Sequence, residues 1–247
     1  MNQGGRMRVL AVGDIHGCFH ALTALAQAVP FTDYDVLVTL GDHVDRGPNS
    51  REVIEWLLDW GRSHRVVCLR GNHEVIMMDA LKDRFALRPW LEVGGMATME
   101  SYQGGKAIPP EHRAFLENTL PWWETDTHIF VHASVNPALP MEKQTDPDLY
   151  WKRVDFSAPP HLSGKTVVCG HSAHKDGVPK CNGHLTCIDT WKKGEGRNGP
   201  GGDRVRSVES GFLRGRLFEK IDRATSFFAL RGGFQAQCWV WPKVFLE

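Results

Sequence analysis

Three short segments of this 247-residue chain combine glycine with side chains that can bind metal. They are Gly13-Asp14-Ile15-His16-Gly17, Gly41-Asp42-His43-Val44-Asp45-Arg46-Gly47 and Arg70-Gly71-Asn72-His73-Glu74. Asp14 and His16 lie two apart, so on an extended segment they point to one side and can grip one divalent ion. Asp42 has two carboxylate oxygens and can bridge two ions. Asn72 offers a neutral amide oxygen to the second. His132 follows the apolar run Ile129-Phe130-Val131, and His171 follows Val167-Val168-Cys169-Gly170. Both are placed to complete the second ion's shell. A nitrogen and oxygen set without sulfur suits Mn, Fe or Zn. A lone Asp-x-His, or one histidine after a strand, is usually a surface or satisfied core residue. Recurrence at five strand ends is what points to chemistry.

Such a set implies phosphoester hydrolysis. Two ions about 3.5–4 Å apart can hold a bridging water and lower its pKa toward neutrality, so that hydroxide attacks phosphorus in line. The leaving oxygen then needs a proton. His73 is next to Asn72 but is not needed as a ligand, which makes it the candidate general acid. Asp45 can hold the other ring nitrogen of His73. Arg46 and Arg70 flank the metal motifs, and guanidinium forks match phosphate oxygens in pairs.

The elements that must position these groups alternate. Short apolar runs at 7–12, 35–40 and 65–69 each lead to a glycine and predict strands. Helical spacing follows at 18–29 (Phe19, Leu22, Leu25 and Ala26 on one face), after Pro48 in a first helical turn, and at 72–84. This βαβαβα order predicts an α/β fold with a mostly parallel sheet, whose strand ends lie side by side where ligands bind. Residues 85–102 read as a small helical insertion and 109–120 as a further helix. Strands are expected at 127–131, 165–169 and 184–188, and late ones at 227–230 and 237–240.

Composition sets the outer bounds. Formal net charge is zero, so no general attraction to nucleic acid polymers or membranes is implied. No apolar run reaches the ~18 residues of a membrane span. The polar leader 1–6 and short apolar run after it do not make a secretory signal, so a cytoplasmic location is expected. Six cysteines are scattered, which favours reduced thiols. Cys181 and Cys187, with His184 between them and even with Cys169, are read as thiols buried beside a strand rather than as structural zinc ligands. From 192 to 216 there are seven Lys/Arg against three Asp/Glu among many glycines, a solvated connection rather than a nucleic-acid arm.

The segments GDIHG, GDHVDRG and RGNHE, with the later VHA and GHS, resemble the PPP family of metal-dependent serine/threonine phosphatases, above all its bacterial and bacteriophage branch. The resemblance covers about residues 7–190. It implies a calcineurin-like metallophosphoesterase fold, a central β-sandwich of mixed sheets flanked by helices. It implies the same metal set, Asp14, His16, Asp42, Asn72, His132 and His171, loaded with two divalent ions of which Mn²⁺ is common. It also implies Asp45 and His73 as the acid dyad and Arg46 and Arg70 on phosphate. The stretch Leu149-Tyr150-Trp151-Lys152-Arg153 resembles one that supplies a further phosphate-binding arginine, here Arg153. His43 departs from the usual aromatic or aliphatic residue and is expected as a neighbour of the metals. Ser134 replaces a frequent glycine. Residues 1–190 are then the catalytic domain, and 191–247 a divergent extension packing on it.

Three functions compete. The first is a phosphatase of phosphoserine and phosphothreonine in proteins or peptides, with phosphotyrosine within reach. The second is a symmetrical dinucleoside tetraphosphate hydrolase, which would share the mechanism and take a nucleotide. The third is a silent binding module, which has no chemical need for Asp45 and His73.

Overall fold

The computed structural model describes residues 8–104, 108–174 and 178–190, and the backbone of 227–231 and 235–239. The leader 1–6 and the Gly/Arg-rich stretch 192–216 lie outside the described residues.

The first half alternates as expected. Strands β1 (Val9–Val12), β2 (Val36–Thr39) and β3 (Arg65–Cys68) run parallel, with Val9 opposite Val36 and Val36 opposite Arg65. Helices α1 (Phe19–Ala28) and α2 (Ser50–Trp60) make the crossovers, and α3 (Asn72–Lys82) follows β3. Pro48 falls in the turn before α2 rather than in its first turn. The N–H of the cap residue Asn49 is bonded to Gly17 O at 3.1 Å, and the helix starts only after that tie. Asp83 has extended backbone, ends α3, and accepts the Phe85 N–H at 2.9 Å to open α4 (Arg84–Trp90). A π-wound turn, Leu91–Gly95, joins α4 to α5 (Met96–Ser101), and α6 (Pro110–Glu117) completes the insertion.

The second half builds β4 (Trp122–Glu124), β5 (His128–Val131), β6 (Thr166–Cys169), β7 (Lys180–Cys181) and β8 (Leu185–Cys187). Two late strands, β9 (Phe227–Arg231) and β10 (Gln235–Trp239), return to the first sheet. There β9 pairs antiparallel with β1, Val9 opposite Leu230. The sheet orders are β10-β9-β1-β2-β3 and β4-β5-β6-β8-β7. Both sheets are mixed, which corrects the single, mostly parallel sheet expected from alternation alone.

The core explains why the pattern misled. Every residue of β1 and β2 is buried. Val9, Ala11, Val36 and Val38 pack against Phe130, Val168 and Ile188 from the second sheet. Leu10, Val12 and Leu37 face the other way, onto Leu22, Val53 and Leu57 of the helices. A strand covered on both faces reads as a continuous apolar run, whether its cover is helix or sheet. Beyond the second sheet, Ile129, Val131 and Val167 meet Met141, Leu149 and Tyr150.

Cys169 and Cys187 are buried neighbours on β6 and β8. Cys181 is exposed, contrary to expectation, because it lies on the short outer strand β7. His184 donates through Nε2 to Ala158 O at 2.9 Å. Among the described residues no helix is long and apolar enough to cross a membrane.

Candidate active site

The loops after β1, β2, β3, β5 and β6 converge at one end of the sandwich. Ile15 N–H and His16 N–H both donate to Asp42 O, at 3.0 and 2.7 Å, joining the first loop to the second. His73 N–H donates to Asp42 Oδ1 and His171 N–H to Asp14 Oδ1, each at 3.0 Å. His16, Asp42, Asp45, Arg46 and His171 all have φ between 45° and 71°. Left-handed backbone costs a non-glycine residue about 1 kcal/mol or more and persists only where its surroundings impose it. Among the described residues just one other non-glycine, Gln103, has positive φ. Backbone strain is therefore concentrated at this site.

The structure gathers donor atoms in two groups. His16, Asp42 and His73 each place one within 4.8 Å of the others, and so do Asp42, His132 and His171; the first group takes in His73, expected as the acid, and not Asp14. Asp42 is common to both groups. Asp14 Oδ2 lies 4.0 Å from His16 Nε2, and its Oδ1 4.0 Å from His132 Nδ1. Asn72 Oδ1 stands 2.9 Å from His132 Nε2 and 3.1 Å from His171 Nδ1.

The direction of each imidazole is fixed from behind. His16 Nδ1 is 3.0 Å from Val44 O, His132 Nδ1 is 2.8 Å from Leu40 O, and His171 Nε2 is 3.0 Å from Trp151 O. A ring nitrogen facing a carbonyl must carry the proton, so the opposite nitrogen presents a lone pair. His132 Nε2 and His171 Nδ1 thus turn lone pairs toward an amide oxygen, with Asp42 Oδ1 3.5 Å from His132 Nε2. Electron pairs converging with no proton between them suit a cation, so the residues fit a metal centre.

The electrostatics agree. Burial, then Arg46 and His73, push His16 well below the usual histidine range. Burial and His171 lower His132 to about 3, and burial lowers His171. All three favour the neutral, ligand-competent form. Burial pushes the Asp42 carboxyl up to about 7, and burial with Asp189 and Asp42 raises Asp14.

His73 behaves differently. Burial works against its charge, but Asp42 and the Asp45 hydrogen bond prevail and raise its pKa. Its Nδ1 is 2.7 Å from Asp45 Oδ2. The Arg46 guanidinium reaches both His16 Nε2 (2.7 Å) and His73 Nε2 (2.9 Å). Arg153 is exposed and its charge acts on His171, whereas Lys152 turns back to Asp148 at 3.3 Å.

Two of the residues beside the motifs make their bonds away from the cluster. Arg70 is not gathered with Arg46: it donates through Nε to Thr119 Oγ1 (3.0 Å) and through Nη2 to Glu117 O (2.8 Å) and Thr119 O (3.1 Å). The two carbonyls lie at the last residue of α6 and two residues beyond it, where helix carbonyls lack partners. His43 does not face the ligands. It is fully buried on the far side of its loop, with Nε2 2.7 Å from Thr39 Oγ1.

Sequence reading missed Glu74, Trp90 and Thr98. Glu74 accepts the N–H groups of Asp42, His43 and Gly71, each at 2.8 Å. A glutamate at the third position of a helix is a capping signal that could have marked it. Trp90 and Thr98 carry no local signal.

A profile of the calcineurin-like phosphoesterase family matches residues 7–189. The chain is 33% identical over 154 residues to serine/threonine-protein phosphatase 1 of Salmonella typhimurium, a stretch covering 59% of this chain and 68% of that protein. It is 42% identical over 73 residues to the symmetrical bis(5'-nucleosyl)-tetraphosphatase of Salmonella paratyphi B. That match covers 29% of this chain and only 25% of the tetraphosphatase. Among solved structures, a candidate diadenosine tetraphosphatase superposes with a TM-score of 0.62 at 20% identity, covering 98% of this chain and 97% of that one. A serine/threonine phosphatase from Saccharomyces cerevisiae gives 0.53 at 15% identity, covering 75% and 68%. At such identities the likeness speaks for the fold.

Proposed function

The chain belongs to the calcineurin-like phosphoesterase family, and we propose that within it this protein is a serine/threonine phosphoprotein phosphatase with a binuclear centre. Metal-dependent phosphoester hydrolysis comes with the family. The phosphoprotein substrate is our reading. The observation that carries the chemistry is the convergence of lone pairs from Asp42, Asn72, His132 and His171 beside the protonatable His73. The substrate class is supported by the relative matched over 68% of its length, against 25% for the tetraphosphatase.

Asp14 and His16 would hold one divalent ion, Asn72, His132 and His171 the other, and Asp42 both. Manganese is the ion of choice, with iron or zinc compatible with the donor set. Bound ions supply positive charge to the phosphoryl oxygens and an acidified water as nucleophile. Arg46 and Arg153 orient the phosphate. As Arg46 turns to the phosphate it leaves His16 Nε2, freeing that lone pair for an ion, and His73 Nε2, which, protonated, donates to the departing oxygen. Asp45 holds Nδ1–H throughout. Residues 1–190 form the catalytic domain in this reading, and 191–247 an extension that adds strands to its first sheet. A cytoplasmic setting is part of the same proposal.

The test is a comparison of kcat/KM for a phosphoserine peptide, a phosphothreonine peptide and diadenosine tetraphosphate at one manganese concentration. At least tenfold preference for a phosphopeptide is expected. Preference for the dinucleotide would replace this reading by the tetraphosphatase one, which the 42% identity over 73 residues favours.

A further inference from the structure

The Asp45 carboxylate is held by more than its histidine. Trp90 Nε1 donates to both carboxylate oxygens at 3.0 Å, and Thr98 Oγ1 donates to Oδ1 at 2.7 Å. Thr98 Oγ1 also accepts the Asp45 N–H at 2.8 Å and lies 2.9 Å from Ser50 Oγ. A hydroxyl has one proton and two lone pairs, so all of its capacity is spent here. Trp90 is 2% exposed and Thr98 is 0% exposed.

A regular helix would not allow this arrangement. Residues eight apart are separated by roughly 12 Å along a straight α-helix axis. Two departures bring both side chains to one carboxylate. The chain is π-wound over Leu91–Gly95, and Gly94 turns out of helical geometry at φ 123°, ψ 2°. Inserted π turns recur at functional sites. The same Gly94 accepts the Arg46 N–H at 3.0 Å, and a Cβ there would stand 2.8 Å from Arg46 Cγ. The insertion therefore wraps the Asp45–Arg46 dipeptide, whose two residues both have left-handed backbone.

We infer that residues 90–98 are a clamp for the acid dyad, with Trp90 and Thr98 as positioning residues that hold the Asp45 carboxylate where it aims His73. Neither touches the reacting phosphate. Their effect passes through Asp45 to the proton on His73, so the inference rests on the acid role proposed above.

Trp90→Phe removes the indole N–H, Thr98→Val removes the hydroxyl at nearly constant volume, and Thr98→Ser restores it. Each full-length, manganese-loaded variant is assayed on phenyl phosphate, whose leaving group needs a proton, and on 2,4-dinitrophenyl phosphate, whose leaving group does not. His73→Asn is run alongside. For Trp90→Phe and Thr98→Val, kcat on phenyl phosphate should fall on the order of tenfold, a fraction of full general-acid catalysis. KM should stay within about twofold, kcat on the dinitrophenyl ester should hold, and Thr98→Ser should return near wild type. Equal losses on both esters, or no loss on either, overturn the clamp. If His73→Asn is selective and these variants are not, the clamp alone fails. If His73→Asn is itself unselective, the acid role fails and takes the clamp with it. Should Trp90→Phe not fold, the Thr98 pair decides.

Discussion

His43 and Glu74 face each other inside the protein, Nδ1 and Oε1 3.3 Å apart, with neither side chain exposed at all. Burial would discharge each of them, but each supports the other's charge. Glu74 pushes His43 up to about 10, while His43 and the Gly71 N–H hold the Glu74 carboxyl far below its usual range. The pair lies directly behind Asp42. Through its three backbone bonds Glu74 pins the loop after β2 to the start of α3.

Replacing His43 by Gln leaves that carboxylate uncompensated and should cost roughly 3–5 kcal/mol near neutrality. The sign with pH follows from the two shifts. His43 is raised above its unfolded value of about 6.5, so its contribution is complete below that pH and is lost as pH climbs toward 10. Glu74 is depressed, so its share is present above about 4.3 and is lost in acid. The melting-temperature gap between wild type and His43→Gln should be widest near pH 6 and close by pH 10. A gap independent of pH would show that His43 is neutral.

Asp42→Asn removes the bridging charge and should cut turnover roughly 10³-fold or more, several kcal/mol of charge stabilisation. Gly71→Ala tests the same group without replacing it. A Cβ there would press on the Asp42 carboxylate. Manganese affinity by calorimetry should drop roughly 10–100-fold, as for other changes behind a ligand. Unchanged affinity in both variants would remove Asp42 from the metal centre.

The two arginines that flank the motifs should part company. Arg46→Ala should raise KM roughly 10–100-fold, the worth of a charged hydrogen bond or two. Arg70→Ala should leave KM within about twofold and lower the melting temperature instead, since its bonds go to Glu117 and Thr119. If both variants raise KM alike, Arg70 swings onto phosphate during turnover.

His73 is raised, so its acid form extends to higher pH than that of an ordinary histidine. For a substrate that needs a proton, kcat should decline on the alkaline side as His73 gives up its proton. For 2,4-dinitrophenyl phosphate that decline should be absent. Identical pH profiles for the two esters would assign the alkaline limb to another group.

The ligand cluster was legible because its residues sit at the ends of apolar runs, where a two-residue spacing and a glycine are local features. The loops that carry Asp14, His16, Asp42, Asn72, His132 and His171 converge at one end of the sandwich, as strand ends in register must. The sandwich was not legible from alternation, since the buried faces of β1 and β2 look the same under a helix or under Phe130 and Val168. The bonds that hold Arg70 and His43 were not legible for a related reason. The partners that orient them, Thr119 and Glu74, lie 49 and 31 residues away. The clamp depends on Gly94 turning the backbone, and the pair Gly94-Gly95 in a helical stretch does not announce which way a tryptophan will point.

Strand β1, which leads directly into Asp14, has β2 on one side and β9 on the other. Without β9, one flank of that ladder would expose its amide and carbonyl row, a template on which strands of other molecules can add. A chain cut before Phe227 is therefore expected to self-associate, visible as higher oligomers in light scattering. The late hairpin moves the open edge of the sheet from β1, the strand that feeds the Asp14 loop, out to β10, a consequence on which the ligand motifs are silent.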